Sequence, residues 1–286
     1  MAGLMTPNSL DELAACLAIG NVRVVAGGTD WFVRDVESFG EEDTLIDLSG
    51  VAELRGVTLQ GGGLRIGAGE TMTSLAGSPL VRTHAACLAE AAEHVGSWQI
   101  RNRATLGGNL AGGSPAADTP PALMALDATA EILSLRGTRS CSVEGIVAQG
   151  RAALAPDEVL VAFTIPLPEG RISAFGKVGS RKEVSIARLN LAASLRRSGG
   201  SLSNARVVVG TLGSAGRLCP GAGEILIGSL DLEERRRAFC SALVAVVEAA
   251  IPGRSTLPYK RSAILALGED VFDALMRTSD EGRGRS

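Results

Sequence analysis

The chain has 286 residues, a length that suits two domains better than one core. Hydrophobic residues make up 45% and charged residues 21%, which describes a globular chain and excludes a disordered one. A formal net charge of −3 and an aromatic share of 3% argue against a nucleic-acid binder, which needs a basic face and stacking rings. With 36 glycines and so few rings, the cores must be filled by Ala, Val, Leu and Ile.

No stretch reaches the roughly 20 apolar residues of a membrane span, and no basic leader with an apolar run opens the chain. The longest apolar run, around Ala242 to Ile251, is interrupted by Glu248. A cytoplasmic location is expected. Cys16, Cys87, Cys141, Cys219 and Cys240 are scattered without a Cys-x-x-Cys, and His84 and His94 are the only histidines. Zinc and iron–sulfur spacings are therefore missing, and no metal site is assigned. No Ser/His/Asp or Cys/His constellation is evident, so no catalytic residue is assigned either.

In chain order, Ser9-Leu-Asp-Glu12 fits a capping box before a helix over Leu10 to Ile19, stopped by Gly20. A strand over Val22 to Ala26 runs into Gly27-Gly28-Thr29-Asp30, and Trp31-Phe-Val-Arg-Asp-Val begins a helix. Strands are expected at Thr44 to Leu48 and, after the Gly61-Gly62-Gly63 turn, from Leu64 to Ala68. Thr71 to Gly77 and Leu88 to Val95 read as helices. Thr105 to Asp118 holds four glycines, a proline and small polar residues. That composition predicts a turn that cannot form a stable helix or a long strand. A short alanine-rich helix follows it. Ala130 to Leu135 and Val159 to Ile165 read as strands, and Pro166 to Gly170 marks a domain boundary. Beyond it, Ile172 to Val178, Ala187 to Arg196 and Ala205 to Gly213 alternate as antiparallel strands, with a Ser-Gly-Gly-Ser hairpin turn between the last two. Helices over Leu232 to Ile251 and Ser262 to Met276 complete a small α+β unit. The tail over 278–286 is expected to be disordered.

Two stretches bring glycines to places where chemistry is possible. Strand, glycine turn and helix start at Ala26 to Asp30 is a phosphate-cradling arrangement, since bare N–H groups face the turn. Thr105 to Asp118 offers a second set, with Thr105, Asn109, Ser114 and Asp118 as side-chain partners. Each alone also reads as an ordinary turn. No Gly-x-Gly-x-x-Gly and no P-loop occurs, so the usual dinucleotide and triphosphate cradles are ruled out.

Taken together, Ala26-Gly-Gly-Thr-Asp30, Thr105-Leu-Gly-Gly-Asn109 and Ser114-Pro-Ala-Ala-Asp118 resemble one family. It is the FAD-binding, or medium, subunit of the molybdenum hydroxylases, which include the xanthine dehydrogenases and the carbon monoxide dehydrogenase medium subunit. Arg101-Asn-Arg103, Ser173-Ala-Phe-Gly-Lys177 and the strand–helix order of the C-terminal part extend the resemblance over nearly the whole chain. It implies an α+β chain: a two-subdomain FAD-binding fold of the vanillyl-alcohol-oxidase/PCMH type, then a small α+β domain with a three-stranded antiparallel sheet and helices. The corresponding spans are 1–168 for FAD binding, with subdomains of about 1–52 and 53–168, and 169–277 for the C-terminal flavoprotein domain.

By the same resemblance, Ala26, Gly27, Gly28, Thr29 and Asp30 would wrap the FAD pyrophosphate, and Thr105, Gly107, Gly108 and Asn109 would hold it from the other side. Asp118 would accept hydrogen bonds from hydroxyls of the polar chain. Val95 and Leu160 would pack around the ring ends, or serve as ordinary core residues. Lys177 matches a lysine beside the flavin, where a cation would favour the reduced anionic ring, or is a solvated strand lysine. Gly112-Gly113 stands where many relatives carry a polar residue, so one side-chain contact is lost. Val184-Ser185 replaces acidic residues that lie near NAD in the xanthine dehydrogenases, which leaves NAD, quinone or oxygen open as the acceptor.

The leading expectation is therefore an electron-transfer flavoprotein subunit. A large molybdopterin-binding subunit and a small 2Fe-2S subunit would be its partners, in a dimer of heterotrimers, with those cofactors on the partners only. A stand-alone FAD-dependent reductase or oxidase of the same fold is the alternative, although no serine-plus-glutamate pair for it is evident. A scaffold that has lost FAD is a third, against which both intact glycine loops speak.

Overall fold

A computed structural model describes residues 3–34, 40, 43–180 and 186–277. The continuation of the helix through Asp35 and Val36, the segment 181–185 and the tail over 278–286 lie outside the described residues.

The first unit comprises β1 (Gly3–Met5), α1 (Leu10–Leu17), β2 (Val22–Val25), α2 (Trp31–Arg34) and β3 (Thr44–Asp47). Its strands pair in the order β1-β3-β2, all parallel. The Ser9 hydroxyl accepts from the Glu12 N–H at 3.2 Å, as a capping box requires. The return bond differs, because the Glu12 carboxylate accepts from the Asn8 N–H at 2.8 Å. Leu13, Cys16 and Leu17 bury the inner face of α1 against Ile46 of β3.

The second unit runs through β4 (Val57–Gln60), β5 (Gly63–Gly67), α3 (Met72–Gly77), α4 (Pro79–His84), α5 (Ala86–Glu93), α6 (Trp98–Arg101), α7 (Leu106–Ala111) and α8 (Thr119–Ala125). It continues with β6 (Thr129–Ser134), β7 (Gly137–Ser142), α9 (Val143–Gln149) and β8 (Val159–Pro166). Its sheet is antiparallel, ordered β4-β5-β8-β6-β7. The centre of β8 is apolar on both faces and buried from Val159 to Phe163, as befits a strand covered on both sides. Small side chains on α5 and α8 let both helices approach the core closely.

The last unit contains β9 (Arg171–Gly179), β10 (Ala187–Ser198), β11 (Ser201–Gly210), β12 (Arg217–Leu218), α10 (Pro220–Ile227), α11 (Leu232–Ala250) and α12 (Leu257–Met276). The antiparallel sheet is ordered β12-β11-β10-β9 among the described residues, so a two-residue strand joins the three expected. Gly199 and Gly200 both have positive φ, 55° and 84°, the geometry of a tight hairpin turn. Ladder pairing then continues from Ser201, earlier than the apolar pattern at Ala205 suggests. Leu191, Val207, Leu243 and Phe272 share one core between this sheet and the long helices. No helix among the described residues is long and apolar enough to cross a membrane.

One expectation is corrected. Thr105 to Asp118 is not helix-free, because α7 passes through Gly107 and Gly108. Tertiary contacts overcome the poor propensity of two glycines, roughly 1 kcal/mol each relative to alanine. The Thr105 hydroxyl caps the helix by accepting from the Gly108 N–H at 3.1 Å, Leu106 and Leu110 are buried, and two backbone bonds tie the first turn to Ala68 and Glu70, just after β5.

Candidate functional site

The loop after β2 and the first turn of α7 meet. A Cβ on Gly27 would overlap the Arg103 carbonyl, so only glycine permits that approach. Gly28 has φ of +72°, and a Cβ there would run into the Phe32 ring. Between these segments lies a cleft of about 520 Å³, within the range of cofactor sites. Ala26, Gly27, Gly28, Thr29 and Asp30 line it with Thr105, Gly108, Asn109, Val95 and Asp118. Two smaller arms share its walls. One, of about 120 Å³, adds Gly107 and Leu160; the other, of about 110 Å³, adds Arg55, Asn102 and Arg103. Ala26 and Thr105 border all three spaces, so the three adjoin as one trough.

The two glycine segments differ in their free donors. The N–H groups of Leu106 and Gly107 donate to the carbonyls of Glu70 and Ala68 at 2.9 and 2.8 Å, and Gly108 N–H donates to its cap. Among the described residues, the N–H groups of Gly27, Gly28 and Thr29 have no such acceptor. At α7 the opening comes instead from shape. Gly107 packs on Ala68, whereas a Cβ on Gly108 would meet only the Thr105 hydroxyl, at 2.9 Å. The Asn109 carbonyl oxygen accepts from the Thr119 N–H and hydroxyl at 3.3 and 2.7 Å, while its amide nitrogen donates to no described residue.

Lys177 stands apart from the other candidates, because it lines none of these spaces. Its ammonium donates to Asp118 Oδ2 at 2.6 Å and to the His94 carbonyl at 2.7 Å, with both side chains of the ion pair almost fully buried. Burial pushes the Asp118 carboxyl above the usual carboxylate range, opposed by the charge and hydrogen bond of Lys177 and by the Asn190 amide. Lys177 is thus a paired, buried cation rather than a solvated strand lysine. Asp118 faces the cleft on one side and the C-terminal sheet on the other.

Gly112 lies beside the Asp30 carboxylate, since a Cβ on it would come within 3.6 Å of Asp30 Oδ2. The site also includes residues without a motif. Ile186, three-quarters exposed, and Ile100 line the cleft, and Asn190 reaches Asp118 from β10. Asn190 carried a signal, being the one amide in the otherwise apolar stretch Leu189 to Ala193. Burial pushes the Cys87 thiol up to about 12 and the Cys219 thiol up to about 11, which disfavours the reactive thiolate.

Residues 1–168 match the family described as the FAD binding domain in molybdopterin dehydrogenase. The chain belongs to that family. Within it, the chain is 30% identical over 255 residues to the nicotinate dehydrogenase FAD-subunit of Eubacterium barkeri, covering 87% of this chain and 86% of the relative. It is 35% identical over 192 residues to the xanthine dehydrogenase FAD-binding subunit of Escherichia coli, covering 66% of each. The fold superposes on a chain of the carbon monoxide dehydrogenase of Hydrogenophaga pseudoflava with a TM-score of 0.85, at 27% identity over 96% of both chains. The chain is thus an FAD-binding oxidoreductase subunit of the molybdenum hydroxylase family, and its architecture is the FAD-binding fold with the C-terminal sheet-and-helix domain.

Proposed function

We propose that this chain is the electron-transfer flavoprotein subunit of a heteromeric molybdenum hydroxylase, with FAD lying in the trough between the two glycine segments. One observation supports this reading most: three backbone donors without a described acceptor, at Gly27, Gly28 and Thr29, line the same cleft as the bare side of Gly108. A pyrophosphate needs several N–H donors at a place where side chains would collide. Ala26 to Asp30 hold that group, and Thr105, Gly107, Gly108 and Asn109 form the wall opposite, with the Asn109 amide nitrogen as a further donor. Asp118 accepts hydrogen bonds from hydroxyls of the polar chain. Val95 and Leu160 supply apolar walls that exclude water, and Lys177 keeps the buried Asp118 charge paired. Bound there, FAD supplies a carrier able to take electrons singly or in pairs.

In this reading residues 1–168 serve FAD binding and 169–277 form the flavoprotein domain that closes behind Asp118. Substrate is oxidised on a large molybdopterin subunit, and a small 2Fe-2S subunit delivers the electrons to this chain. The assembly is a dimer of heterotrimers in the cytoplasm, and an external acceptor (NAD, quinone or oxygen) drains it. Purifying the native complex tests the subunit assignment and the flavin. The expected result is flavin absorbance and three polypeptides in equal amounts. A chain that stays colourless after reconstitution with FAD would sink the proposal.

A further inference from the structure

One cross-strand row of the C-terminal sheet converges on a single carboxylate. Lys177 on β9 is the ladder partner of Asn190 on β10, and Asn190 is the partner of Gly210 on β11. Lys177 Nζ lies 2.6 Å from Asp118 Oδ2. Asn190 Nδ2 donates to Asp118 Oδ1 at 3.1 Å and to the Ala117 carbonyl at 3.2 Å. Asn190 is fully buried, yet its own Oδ1 has no hydrogen-bond partner among the described residues. A buried carbonyl in that state is unfavourable, so its placement requires a compensating gain elsewhere. Gly210 shows where the carbonyl goes: a Cβ on that residue would collide with Asn190 Oδ1. Two residues on adjacent strands therefore share one task, which is to aim an amide nitrogen at Asp118.

We propose that Asn190 is a positioning residue for the cofactor, holding the Asp118 carboxylate oriented to accept hydrogen bonds from FAD hydroxyls. It acts through Asp118 and lines no wall of the cleft. The inference rests on the reading that Asp118 bonds FAD. The charged and titratable groups around Asp118 are the Lys177 ammonium on β9 and His94 at the end of α5, both of which favour its ionised form. Burial opposes them, and the Asn190 amide adds a hydrogen bond that is stronger to the ionised carboxylate than to the neutral acid. Without that amide, protonation of Asp118 sets in at a higher pH. FAD affinity then begins to decline at a higher pH than in the parent.

The test uses the full chain and FAD, with the dissociation constant read from flavin fluorescence between about pH 5 and about pH 8, above the ordinary carboxyl range. Asn190→Leu is expected to bind about tenfold more weakly at the acid end and to approach the parent curve at the alkaline end. A curve parallel to the parent, whether displaced or superimposed, overturns the proposal, because a merely structural role weakens binding equally at every pH. Should Asn190→Leu fail to fold, Asn190→Asp keeps the size and replaces the donor by an acceptor. The same upward displacement is expected, and an unchanged profile overturns the proposal. Asp118→Asn separates the two levels. If it binds FAD as the parent does, the Asp118 reading itself fails. If it binds weakly while both Asn190 variants keep the parent profile, only the role of Asn190 fails.

Discussion

The loop at Ala26 to Asp30 and the turn at Thr105 to Asn109 have nearly the same composition and opposite hydrogen-bond states. In the first, Gly27, Gly28 and Thr29 keep their N–H groups without described acceptors. In the second, Leu106, Gly107 and Gly108 have theirs satisfied by Glu70, Ala68 and Thr105. The first is a set of donors, whereas the second is a rigid wall with a gap in it. Glycine serves two ends here, exposing backbone in one segment and allowing a helix to sit against a ligand in the other.

The largest effect is expected where the second stretch ends, at Asp118. Lys177→Met would leave its carboxylate buried without a cation, and removing one partner of a buried pair typically costs about 3–5 kcal/mol. Thermal melting of the FAD-free chain should show this loss, and an unchanged melting temperature would mean the pair contributes nothing to the fold. Gly27→Ala comes next, because its Cβ would overlap the Arg103 carbonyl and force the two segments apart. Overpacking of this kind costs about 1–3 kcal/mol, and FAD binding should fall with it. Gly108→Leu separates shape from stability. Disturbing the Thr105 cap costs about 1 kcal/mol, and replacing glycine in a helix returns nearly as much. Melting should therefore change little while FAD binding is lost. Tight FAD binding by this variant would show that the gap at Gly108 is not used.

The smallest effect concerns Glu158, which borders the arm that contains Leu160. Arg139 holds its carboxylate at 2.7 and 2.8 Å, and the Ala155 N–H adds a bond at 3.0 Å. The Arg139 guanidinium pulls this carboxyl down to about 2. A folded-state value below the unfolded one means the stabilisation is complete above the unfolded value of 4.5 and is lost as pH falls from there towards about 2. Glu158→Gln should flatten that acid limb in pH-dependent melting. An unchanged slope would mean that other carboxylates account for it.

Much of the fold was legible because its strands are apolar and its turns carry glycine, as at Val159 to Ile165 and at Gly199-Gly200. The edge strand β7, Gly-Thr-Arg-Ser-Cys-Ser, was not, since it faces solvent and has no alternation to reveal it. The short helices α4 and α10 begin at Pro79 and Pro220, and proline reads equally well as a turn. α7 was hidden for a different reason. Its glycines speak against helix, and only contacts with Ala68 and Glu70, distant in sequence, overrule them. The glycine segments of the site were legible as motifs. The difference in their donor states was not, because hydrogen-bond partners come from the tertiary fold.

That difference is open to direct measurement by amide hydrogen exchange of the full chain with and without FAD. Leu106 and Gly107 should be protected in both states, while Gly27, Gly28 and Thr29 should exchange freely alone and become protected when FAD is added. Unchanged exchange at Gly27 to Thr29, or protection gained only at Leu106 and Gly107, would contradict the assignment of the first loop as the phosphate-binding one.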